Sequence, residues 1–250
     1  MKCAKMHGDG KHMNLNSQNS LPLHLKNNND IFFIVPAFNE ASTIENVVRS
    51  IVEHGFTPVV IDDCSSDQTA DIAYSCGAVV IRHPINLGQG AALQTGIEYC
   101  LTKNFRVLVT FDSDGQHQIK DAICLINSIL NDEADIVCGS RFLGTNAIGI
   151  PPVRSLFLQI AALYTRLSTG LPATDAHNGL RALSKKAAKT IRITHNRMAH
   201  ASELMTQVKN LRFKELPVEI LYTQHSLAKG QKLTNSINIL IELFIGKFTK

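Results

Sequence analysis

Short runs that are apolar at every position alternate with stretches of helical periodicity, and this alternation constrains the chain more than any other feature. IFFIV (31–35), TPVVID (57–62), AVVIR (78–82), RVLVTFD (106–112) and DIVCG (135–139) read as strands, because a strand covered on both faces loses the apolar/polar alternation. Between the first two, Ile44, Val47, Val48, Ile51 and Val52 recur at i, i+3, i+4, i+7 and i+8, Ser42 with Glu45 spells a capping box, and Gly55 closes the helix. Further helices are expected near 67–76, 89–103 and 119–131. The order β-α-β-α implies an α/β fold with a mostly parallel central sheet flanked by helices and right-handed crossovers. After Gly139 come a helix opened by prolines (PPVRSLFLQIAALYTRLSTG), a polar loop (TDAHNGLRA), helical stretches over 184–192 and 199–209, and a strand within KELPVEILYT.

With 250 residues, 44% of them hydrophobic and 18% charged, the chain is long enough to bury one sizeable core. The expected division is a leader over 1–29, a folded domain over 30–236 and an amphipathic tail over 237–250. The leader is rich in Asn, Lys, His and Ser and reads as disordered or as the product of a start codon placed too early; His7, His12 and His24 lack ligand spacing. In the tail Ile237, Leu240, Ile241, Phe244 and Ile245 share one helical face, which suits either core packing or a helix lying in a membrane interface. A spanning helix needs roughly 18 or more apolar residues in succession, and no such run exists. The net charge of +4 is modest and, apart from denser patches over 181–189 and 229–250, Lys and Arg are spread out without a basic stripe or interleaved aromatics, so nucleic acid is not an expected partner. The six cysteines form no C-x-x-C pair and read as reduced thiols of a cytoplasmic protein, with peripheral contact at the cytosolic face of a membrane as the role left to the tail.

In a parallel α/β sheet ligands bind beyond the carboxyl ends of the strands, so the loops PAFNE, DDCSSD, HPINLGQG and DSDGQH are where chemistry is expected. In DSDGQH, Asp112 and Asp114 are spaced to face the same way and to share a cation. Two carboxylates so close repel each other, and a divalent ion such as Mg²⁺ or Mn²⁺, with room left for phosphate oxygens, removes the conflict. An EF-hand is excluded, since its twelfth position would be Ile123. Gly88 and Gly90 open a helix whose free N–H groups suit a phosphate, or they form a simple tight turn; the third glycine of a dinucleotide fingerprint is Leu93 instead. Asp62 and Asp63 serve either as caps or as acceptors for a base N–H or a ribose hydroxyl. His117 is a metal ligand, orients one, or merely forms a hydrogen bond in the loop.

In their order and spacing, VPAFNEASTI, IDDCSSDQT, NLGQGAALQTGI, FDSDGQH, CGSRF and HNGLRALSKKA resemble the family 2 glycosyltransferases of GT-A fold, closest to the polyprenyl (dolichyl) phosphate sugar synthases, from about Ile31 to Leu240. The resemblance implies that Pro36, Phe38, Asn39 and Glu40, with Asp62 and Asp63, surround the nucleoside of a UDP- or GDP-linked sugar. It implies that Asp112 and Asp114, with Gln116, bind a divalent metal on the diphosphate. Arg141 matches an arginine that meets the acceptor phosphate, Arg154 is a second candidate, Asp175 and HNGLR lie where acceptor and sugar meet, and Lys229 and Lys232 lie near the donor phosphates. The family's serine before that last lysine is replaced by Gln231.

The expected activity is inverting, metal-dependent transfer of a sugar to a polyprenyl phosphate. An acceptor phosphate is already anionic near neutral pH, because its second pKa is about 6, and needs no base. Transfer to a sugar hydroxyl is the alternative and requires a carboxylate base, Asp175 or Glu203. A nucleotidyltransferase would need a Gly-rich, Lys-containing opening loop where VPAFNE stands. A non-catalytic nucleotide-sugar binding module would not need the acidic pair.

Overall fold

The computed structural model describes residues 28–143, 152–195 and 199–221. Leader, tail, Lys229 and Lys232 lie outside the described residues. The elements run β1 (Ile31–Ala37), α1 (Ile44–Glu53), β2 (Thr57–Asp62), α2 (Thr69–Ser75), β3 (Val79–Arg82), α3 (Gln89–Leu101), β4 (Val107–Thr110) and α4 (Ile119–Leu130). They continue with β5 (Ile136–Ser140), α5 (Pro152–Thr169), β6 (Arg181–Ser184), α6 (Lys185–Thr190), α7 (Ala199–Gln207) and β7 (Phe213–Pro217).

The strands form one sheet in the order β3-β2-β1-β4-β6-β5-β7. All pairings are parallel except the two made by β6, which runs antiparallel to β4 and to β5. Strands β1, β2, β3, β4, β5 and β7 therefore end at one edge of the sheet, and the loops that follow them collect there. Sequence reading assigned TDAHNGLRA wholly to a loop, but Arg181 and Ala182 already belong to β6. Four residues bearing an arginine and a serine carry no strand periodicity; pairing with a buried neighbour on each side makes them a strand.

Complete burial of β1 explains its unbroken apolar run. Ile31, Phe33 and Val35 point to the layer built by α1, α2 and α4, while Phe32 and Ile34 point to that of α3, α6 and α7. Helix α1 buries Ile44, Val47, Val48 and Ile51 but leaves Val52 exposed. At 3.6 residues per turn position i+8 is rotated about 80° from position i, which puts Val52 on the flank of the apolar stripe. The capping box does not form either. Thr43, not Ser42, precedes the helix; its hydroxyl bonds the carbonyls of Ser113 (2.8 Å) and Glu40 (3.2 Å), while Glu45 pairs with Arg49. The Thr43 hydroxyl thus ties the loop after β1 to the loop after β4. Gly55, at φ +76°, ends the helix as expected. Among the described residues no helix is long and apolar enough to cross a membrane.

Helix α3 crosses β1 closely enough that a Cβ on Gly96 would collide with the side chain of Ile34. Gly96→Ala is expected to lower unfolding free energy by about 1–3 kcal/mol in a denaturant titration, overpacking outweighing alanine's better helix propensity.

Candidate active site

A cavity of about 320 Å³ opens at the carboxyl edge, lined by Pro36, Ala37, Phe38, Glu40, Asp63, Gln89, Ala92, Asp112, Ser113 and Asp114. Its walls come from the ends of β1, β2 and β4 and from the start of α3. Among the described residues that line it, four are carboxylic acids and none is basic, so this wall repels an anion unless positive charge accompanies it.

The two acids of DSDGQH are held differently. Asp112 is half-buried and is the partner of His117, whose Nε2 lies 3.0 Å from Oδ2, and Gln89 Nε2 lies 3.3 Å from Oδ1. Burial pushes the Asp112 carboxyl up, but the bond and charge of His117, with the charge of Arg181, outweigh it and hold the pKa low. Asp114 is pushed the other way, by burial and then by the charge of Asp112. Gln116 covers Asp114, its backbone N–H on Oδ1 at 3.0 Å and its Nε2 on Oδ2 at 2.7 Å. His117 is itself buried and packs against the Phe111 ring, so it orients Asp112 from behind.

Among the described residues no three His, Cys, Asp or Glu side chains converge on a metal position. The donor set is hard carboxylate oxygen beside open volume, which suits Mg²⁺ or Mn²⁺ completed by oxygens of a ligand. The raised pKa of Asp114 marks the charge conflict that such an ion would relieve.

The nucleoside candidates divide. Phe38 is 46% exposed at the cavity wall and Glu40 is buried in it. Asn39, at φ +53°, accepts at Oδ1 from the Ser66 N–H at 2.8 Å and so braces the neighbouring loop. Asp62 is fully buried; Oδ2 pairs with Arg82 at 3.0 Å, whereas Oδ1 meets no hydrogen-bond partner. Asp63 accepts from His83 Nδ1 (2.8 Å), Leu87 N–H (2.8 Å) and Gly88 N–H (2.7 Å), and this clamp fixes the glycine loop. Gly88 supplies the positive φ of that turn, at +93°, and a Cβ on Gly90 would strike the carbonyl of His195. The residue between them, Gln89, is the one that lines the cavity; sequence reading saw it only as a helix start.

Arg141 and Asp175, placed separately by sequence, form a buried bidentate ion pair with Nε and Nη2 each 2.6 Å from the carboxylate. Burial raises the Asp175 pKa, but the adjacent guanidinium prevails and holds it low, which makes Asp175 a weak base. The other candidate base, Glu203, binds the backbone N–H groups of Thr194 and His195 and is likewise held low. Arg154 lies in α5, its side chain outside the described residues. In HNGLR, burial pushes the His177 imidazole down to about 4, so it is neutral. Thr110 and Cys138 both align with Arg181, so Asp112 and Arg141 lie just beyond the ends of strands that stand two apart, about 10 Å at ordinary strand spacing.

The sheet and its acidic edge define the class: a glycosyltransferase of GT-A fold. Residues 32–192 match Glycosyl transferase family 2, and the chain belongs to that family. It is 35% identical over 227 residues to the uncharacterized protein MJ1222 of Methanocaldococcus jannaschii, covering 88% of this chain and 93% of that one. It is 30% identical to a UDP-N-acetylglucosamine–dolichyl-phosphate N-acetylglucosaminyltransferase of Methanococcus voltae, covering 88% and 97%. Its relatives include several enzymes named for polyprenyl-phosphate acceptors, which puts it beside the polyprenyl-phosphate sugar synthases. Among solved structures it shares its fold with glucosyl-3-phosphoglycerate synthase of Mycobacterium tuberculosis, in complex with Mn²⁺, UDP-glucose and phosphoglyceric acid. That likeness has a TM-score of 0.64 at 20% identity and covers 86% of this chain and 78% of that one.

A Cβ on Gly179 would collide with the Asp112 carboxylate. Gly179→Ala is expected to turn that carboxylate and lower turnover by about 10²-fold, the scale of an ångström misplacement, with thermal stability nearly unchanged. Steady-state kinetics beside a melting curve checks it; full activity would show that Asp112 need not hold its position.

Proposed function

We propose that the protein transfers a sugar, with inversion, from a UDP- or GDP-linked donor to a polyprenyl phosphate, and that it does so only with a divalent cation. The observation that carries the cation requirement is the cavity wall of Glu40, Asp63, Asp112 and Asp114, with no basic residue among the described residues that line it. An anionic diphosphate does not enter such a wall unaccompanied. Mg²⁺ or Mn²⁺ bound by Asp112 and Asp114, with Gln116 beside them, would neutralise the charge that develops on the nucleoside diphosphate as it leaves.

In this reading Pro36, Phe38 and Glu40 flank the nucleoside, with Asn39 and Asp63 fixing their loops. The unpaired Oδ1 of Asp62 is the buried acceptor suited to a donor group of the nucleoside. Gly88 and Gly90 shape the turn that presents Gln89. Lys229 and Lys232 serve the donor phosphates. Arg141 meets the acceptor phosphate, whose oxygen attacks the anomeric carbon as the bond from that carbon to the diphosphate breaks on the opposite face.

A phosphate acceptor agrees with the state of Asp175. A hydroxyl acceptor must lose a proton to a base, and the carboxylate in place is committed to Arg141 and held weakly basic. A phosphate oxygen is already ionised near neutral pH, with a second pKa of about 6. The exposed Ile160, Leu163 and Leu167, on one face of α5, suit a protein working against the cytosolic surface of a membrane.

Incubation with labelled UDP- and GDP-sugars and a short-chain polyprenyl phosphate tests the proposal. Label is expected in the organic phase with Mg²⁺ or Mn²⁺ and not with EDTA, and Asp114→Asn is expected to lower that transfer by about 10²-fold or more. Donor hydrolysis without lipid product would overturn the acceptor assignment; transfer undiminished in EDTA would overturn the cation requirement.

A further inference from the structure

Away from the donor cavity a second polar cluster surrounds the turn at Thr174 and Asp175. Its base is Glu215, at the middle of β7 and level with Cys138 of β5. The Glu215 carboxylate accepts from the backbone N–H of Thr174 (2.8 Å), the backbone N–H of Asp175 (3.2 Å) and the Thr174 hydroxyl (2.6 Å). Glu215 therefore holds both peptide groups of the turn whose carboxylate grips Arg141.

A carboxylate among donors also fixes the direction of every bond beyond it. Since Glu215 only accepts, the Thr174 hydroxyl donates to it and must accept from the Ser140 hydroxyl, 2.6 Å away. Ser140 Oγ then accepts from the N–H of Phe142 at 3.1 Å. Asp175 meanwhile takes the backbone N–H of Arg141 (3.1 Å) as well as its guanidinium. The residue before Arg141, the residue after it and its own main chain and side chain are all oriented from Glu215. Burial raises the pKa of this acid, and neighbouring Asp175 adds to the rise.

We propose that Glu215 is a positioning residue for the acceptor: through Thr174, Asp175 and Ser140 it holds Arg141 where the acceptor phosphate is met. This rests on the reading of Arg141 as the acceptor arginine. Glu215 touches neither substrate and takes no proton from one.

The test uses Glu215→Ala and Glu215→Gln in the full chain, with KM measured separately for nucleotide sugar and for short-chain polyprenyl phosphate. Alanine removes the anchor; glutamine keeps an acceptor oxygen but presents an N–H to the Thr174 hydroxyl and so reverses the chain of bonds. Acceptor KM is expected to rise about tenfold in the first variant and at least about threefold in the second, the range of one hydrogen bond of ordinary strength. KM for the nucleotide sugar is expected to stay within about twofold. In an Arg141→Lys background Glu215→Gln is expected to add nothing further, since both changes act through one group. If the alanine variant does not fold, the glutamine variant carries the test. An unaltered acceptor KM in Glu215→Gln, or an effect that adds in full to that of Arg141→Lys, overturns the role while the unaltered enzyme still makes lipid product. No lipid product from the unaltered enzyme would overturn the acceptor reading first, and this role with it.

Discussion

The crowding of negative charge at the carboxyl edge of the sheet is the constraint around which the rest of the site is arranged. Asp112 and Asp114 are separated by one residue, and Glu40 and Asp63 share their wall. Like charges at this separation split their pKa values, and the environment decides which partner stays ionised. Here His117 and Arg181 favour charge on Asp112, while burial and the Asp112 charge disfavour it on Asp114. His117 packed on Phe111, Gln116 over Asp114 and Gln89 at the start of α3 are the local means by which the fold tolerates the conflict. A cation shared by the pair removes it.

One short segment joins the two halves of the site, the cavity at Asp112 and the ion pair at Arg141. Asp175 grips Arg141, and four residues later Gly179 lies against the Asp112 carboxylate, its carbonyl held by the Thr110 hydroxyl at 2.6 Å. Arg181 then opens β6, the strand between β4 and β5. That inserted antiparallel strand is what sets the two halves about two strand spacings apart, on neighbours that run in the same direction. A displacement at Asp175 is therefore felt at both ends, through the ion pair on one side and a van der Waals contact on the other.

Much of this was legible in the sequence, for physical reasons that also explain what was not. The unbroken apolar runs of β1 and β2 and the stripe of α1 follow from burial, which acts on local sequence and leaves a period. The acidic pair was legible as residue types at a strand end, while Arg141 was reached only through the family resemblance of CGSRF. What sequence could not give was the commitment of each side chain. Asp62 and Asp63 read alike, yet one is spent on Gly88 and His83 while the other keeps an oxygen unpaired. Arg141 and Asp175 are 34 residues apart and meet where β6, which follows Asp175, pairs with β5, which ends just before Arg141. Glu215, in KELP, had no local signal, since its partners come from a turn about forty residues earlier. The capping box failed for the same reason: Thr43 answers to Ser113 across the edge of the sheet rather than to its own helix.

The central claim is that this acidic wall admits a nucleoside diphosphate only together with a divalent cation. Calorimetric titration of UDP and GDP into the protein, with Mn²⁺ and again with EDTA, tests it most directly. The account predicts measurable binding of one of the two nucleotides with Mn²⁺, and none of either in EDTA. Binding of equal affinity in the two conditions would contradict it, because the four carboxylates would then accept a diphosphate without a divalent cation.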